Sequence, residues 1–117
     1  MSDPAVPVPY RQRPISPIVA KDSTWSVWLA DDQAPFAKRA DVLSWQTAPL
    51  QAPVTLRGAV QAKLFASTTG SDADWIVKLI DVYPEDAATP AALRGRQLII
   101  ADEVLRGRFR TGFERPH

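Results

Sequence analysis

The sequence predicts an all-β domain of the sandwich or jelly-roll class, and three observations carry that prediction. Residues 54–66 alternate with a period of two: Val54, Leu56, Val60, Ala62, Leu64 and Ala66 fall on one side, Thr55, Arg57, Gln61 and Lys63 on the other. Residues 72–83, DADWIVKLIDVY, are apolar on both faces. Trp75, Val77, Leu79 and Tyr83 point one way and Ile76, Ile80 and Val82 the other, with only Lys78 and Asp81 interrupting. That pattern belongs to a strand buried between two layers. Finally, turn-forming clusters separate these runs, helical periodicity is confined to one short stretch, and no repeat of solenoid or propeller length is present.

Each element follows from local chemistry. Pro4, Pro7, Pro9, Pro14 and Pro17 each fix a backbone angle and remove a donor, so residues 1–20 read as an extended arm or interdomain linker. Residues 21–117 are then the β domain. Asp22, Ser23 and Thr24 offer an N-cap to Trp25-Ser26-Val27-Trp28-Leu29-Ala30, where Trp25, Trp28 and Leu29 share a helical face. This one short helix is expected to end near Asp32 and to be closed by Pro35. Residues 41–46, DVLSWQ, read as a strand ended by Pro49. The alternating series 54–66 is the next strand, with Gly58 marking a bulge or bend. Residues 67–72 are turn chemistry that would join it to the Trp75 strand as a hairpin. Residues 84–95 form a loop, 98–105 a further strand with some helical tendency over 101–105, and Arg106-Gly107-Arg108 a last turn.

Composition narrows the function. A chain of 117 residues makes one domain, able to remove roughly two thirds of its unfolded surface from water. The hydrophobic share of 45% and 4 Trp argue for a core. A net charge of +1 recommends neither nucleic acid nor membrane as a partner. With 0 Cys there is no disulfide, no thiol catalysis and no cysteine zinc site, and every compartment stays open. No apolar run approaches the ~20 residues of a membrane span, and the N-terminus carries no signal-peptide pattern.

A resemblance rests on five blocks taken in order: PVPYRQRPI at 7–15, WSVWLADDQ at 25–33, DVLSW at 41–45, KLFASTTGSDADWIVKLIDVYPED at 63–86 and QLIIADEVLRGRFR at 97–110. Together they resemble the C-terminal β region of the X-Pro dipeptidyl-peptidase type serine hydrolases, and within them the α-amino acid ester hydrolases and glutaryl-7-aminocephalosporanic acid acylases, relatives of cocaine esterase. The resemblance implies a partial, galactose-binding-like jelly roll: the linker arm plus the first part of a β domain that family members continue beyond the equivalent of Pro116. It also implies a catalytic α/β-hydrolase domain, with a Ser-Asp-His triad on a G-x-S-x-G elbow, as the partner missing from this chain. No G-x-S-x-G occurs here, and the single histidine is His117 at the terminus. No catalytic residue, cofactor or metal ligand is therefore expected in this chain, and alone it should be inactive.

Several residues nevertheless invite a functional reading. Asp72 and Asp74 look like the start of a calcium loop, but the glycine and distal glutamate do not follow, and turn capping explains them better. Asp81, set in an apolar strand, needs a partner, for which Arg106 or Arg108 is the candidate. Arg94, Arg96, Arg106, Arg108, Arg110 and Arg115 form a basic stripe that Asp102, Glu103 and Glu114 partly neutralise, so an ion-pair face explains it better than an anion site. Trp25 and Trp28 are candidates for packing against the sheet or the missing hydrolase domain rather than for a sugar platform.

The leading expectation is a noncatalytic accessory domain that supports the active-site entrance and oligomer contacts of a serine hydrolase. The alternatives are a stand-alone carbohydrate- or ligand-binding jelly roll, and a small hydrolase using paired carboxylates among Asp72, Asp74 and Asp81. A partial sheet leaves open edges, so a homo-oligomer through edge strands or the arm is also expected.

Overall fold

A computed structural model describes residue 5 and residues 14–116. Most of the predicted arm, and His117, lie outside the described residues. The chain divides into two compact units, Met1–Ser44 with Leu79–Ala101, and Trp45–Lys78 with Asp102–His117.

The fold class is all-β. Its main regular element is an antiparallel ladder of β1 (Asp74–Val82) and β2 (Gln97–Arg106). The direction follows from two bonds: Tyr83 N–H donates to the Arg96 carbonyl at 2.9 Å near one end, and Gly107 N–H to the Ala73 carbonyl at 2.8 Å at the other. Between these bonds β2 uses one residue more than β1, which is the signature of a bulge and adds local twist. β2 stays extended through its whole length, without the helical turn its second half allowed.

Two short helices replace the single one expected. α1 is Trp25–Leu29, with the Ser23 hydroxyl accepting from the Trp25 N–H at 3.3 Å. α2 is Ala34–Ala37. Pro35 does not close α1; it sits in the first turn of α2, where its missing N–H is no loss. A 3-10 turn, Gly107–Phe109, follows β2.

The strands expected at 41–46 and 54–66 do not form. At 41 the chain is held in a turn: Val42 N–H donates to the Arg39 carbonyl, and the Arg39 guanidinium grips Asp41 through two bonds of 2.9 Å. Residues 54–66 pair with nothing among the described residues, so the hairpin expected across 67–72 is also absent. A strand is defined by its partner, and alternation alone supplies none. Gly58 does bend the chain, at φ +90°, a conformation that side chains disfavour.

β1 is not sandwiched between layers. Trp75, Val77 and Leu79 are half-buried while Ile76 is 62% exposed. Among the described residues no apolar side chain is fully buried; the buried side chains are Gln33 and Thr89. The hairpin loop is held by its own polar groups. Asp86 Oδ1 accepts from the Thr89 N–H and hydroxyl at 2.9 and 3.0 Å, and Arg94 Nε donates to the Thr89 carbonyl at 2.9 Å.

Candidate functional site

Within the unit containing residues 102–117, the ends of the two strands meet in an acid–arginine clamp. Asp72 Oδ1 accepts from the backbone N–H of Ala73 and of Arg108, each at 2.9 Å, while its Oδ2 accepts from Arg108 Nε. Two places along, Arg106 Nε and Nη2 reach Asp74 Oδ1 and Oδ2 at 3.1 and 3.3 Å. Gly107 lies between the two arginines, against the Ala73 carbonyl. The Arg108 guanidinium, more than the two backbone donors, holds the Asp72 carboxyl below the usual carboxylate range.

Arg106 and Arg108 are thus ion-pair residues, but their partners are Asp74 and Asp72 rather than Asp81. Asp81 is exposed toward the other end of β1. An exposed carboxylate keeps its water and needs no partner, so the reason for expecting one disappears along with the buried strand. Among the described residues, no group of three or more His, Cys, Asp or Glu side chains is placed to hold a metal ion.

The other unit contains a junction that the sequence reading missed. Asp32 Oδ1 accepts from the N–H of Gln97 at 2.9 Å and of Ala34 at 3.1 Å, so one carboxylate, placed just before the Gln33 cap, ties the first N–H of α2 to the start of β2. Gln33 N–H donates to the Gln97 carbonyl at 2.9 Å, and Arg96 Nη2 to the Ala30 carbonyl at 2.9 Å. The outer edge of β2 is therefore covered at Gln97. These backbone donors, Gln97 first, lower the Asp32 pKa, with Arg96 adding a smaller charge effect. Asp-Asp-Gln before an Ala-Pro helix start was the available signal, hidden because Pro35 read as a stop.

Trp25 and Trp28 pack against each other in a tilted contact, ring centroids 5.6 Å apart and planes inclined by 48°. Trp25 remains 37% exposed and joins Ile15, Ser16, Pro17 and Ile18 in an open, apolar pocket of about 340 Å³. The described residues therefore present exposed apolar surface and ion-paired turns.

Residues 9–117 match the family model described as the X-Pro dipeptidyl-peptidase C-terminal non-catalytic domain. The cocaine esterase of Rhodococcus sp. (strain MB1 Bresler) is 36% identical over 85 residues, covering 73% of this chain and 13% of the esterase. A crystal structure of an aminopeptidase from the marine sediment archaeon Thaumarchaeota archaeon is 45% identical, with a TM-score of 0.74. It covers 98% of this chain and 19% of that one. The chain spans less than a fifth of either relative.

Proposed function

The chain belongs to the X-Pro dipeptidyl-peptidase C-terminal non-catalytic domain family, and on that premise we propose that it is the accessory β domain of a larger serine hydrolase acting on ester or X-Pro peptide bonds. In that setting it lies beside the catalytic α/β-hydrolase domain, supports the active-site entrance and contributes to oligomer contacts. One observation carries the reading: large apolar side chains, Leu43, Trp45, Leu56, Val60, Phe65 and Ile76 among them, are exposed while none is fully buried among the described residues. Large apolar side chains left exposed in this number favour a chain that another protein surface covers. Trp25 and its pocket are the candidate contact with the catalytic domain, and β2 beyond Gln97, with Val104 and Leu105 exposed, is the candidate edge for other subunits.

A chimera tests this. The 85 matched residues of the Rhodococcus cocaine esterase are replaced by their counterparts from this chain. The expected result is a soluble esterase with its kcat largely retained, whereas deletion of the same residues abolishes soluble expression, and this chain alone hydrolyses no ester. Ester turnover by the isolated chain, removed by no catalytic-domain inhibitor, would sink the accessory reading.

A further inference from the structure

We draw no further inference here: the strongest candidate, the open apolar pocket that Ile15, Pro17, Ile18 and Trp25 line beside α1, carries nothing beyond the domain contact already proposed for it, because nothing among the described residues shows what covers it.

Discussion

The Gly107 N–H donates to the Ala73 carbonyl oxygen at 2.8 Å, and a Cβ built on Gly107 would lie 2.8 Å from that same oxygen and 3.1 Å from Asp72 Oδ1. The strands approach so closely here that only hydrogen fits. Gly107→Ala is expected to push the strand ends apart and lower stability by about 1 to 3 kcal/mol. Urea unfolding measures the loss, and faster amide exchange at residues 73–75 and 104–107 locates it. An unchanged midpoint would show that the turn yields freely.

Asp72 and Arg108 contribute unequally to the clamp. Arg108→Ala removes an exposed charge partner but leaves both backbone donors on Asp72, and exposed ion pairs contribute little. Asp72→Ala strands the N–H groups of Ala73 and Arg108 together. The larger fall in urea midpoint is therefore expected for Asp72→Ala, with Asp72→Asn between the two. Equal losses would show that water satisfies the two backbone donors once the carboxylate is gone.

Asp32→Ala releases both α2 and the first residue of β2. The expected cost is about 1 kcal/mol, read as a lower thermal midpoint, with the amide of Gln97 exchanging faster. Asp31→Ala serves as the control, because only its backbone carbonyl bonds to Gln33.

Acid should loosen the fold through the same carboxylates. Asp32, Asp41 and Asp72 all have folded pKa values below the ordinary value of 3.8. In each case the unfolded chain takes up the proton first as pH falls. Their contribution is fully present well above pH 4 and is lost as pH drops through the lower, folded values. Tryptophan fluorescence during urea titration should show a flat midpoint from pH 7 to 5 and a decline below 4, shallower in Asp72→Asn. A midpoint that rises on acidification would contradict the assignment.

Trp25 offers a test of domain contact. In the isolated chain Trp25→Ser removes a partly exposed ring in tilted contact with Trp28, a loss of about 0.5 to 1.5 kcal/mol. Within the esterase chimera a buried ring is expected to cost at least twice that. The same thermal shift in both settings would free Trp25 of any role between domains.

The sequence by itself determined what is local: the all-β class, the Trp25 helix, the two apolar strands that became β1 and β2, the bend at Gly58, the turn at residues 106–108 and, through five ordered blocks, the family. Periodicity and turn chemistry are properties of neighbouring residues, so a linear reading reaches them. Tertiary structure alone decided who pairs with whom. Asp72 and Asp74 took the arginines expected for Asp81, because the ladder brings residues 72–74 opposite 106–108 and leaves Asp81 exposed. Pro35 became part of a helix start because the Asp32 carboxylate, held by the Gln97 N–H, takes the first N–H of that turn at Ala34. Residues 41–46 and 54–66 stayed unpaired because alternation specifies which face a strand buries, whereas the strand itself exists only once another backbone satisfies its hydrogen bonds.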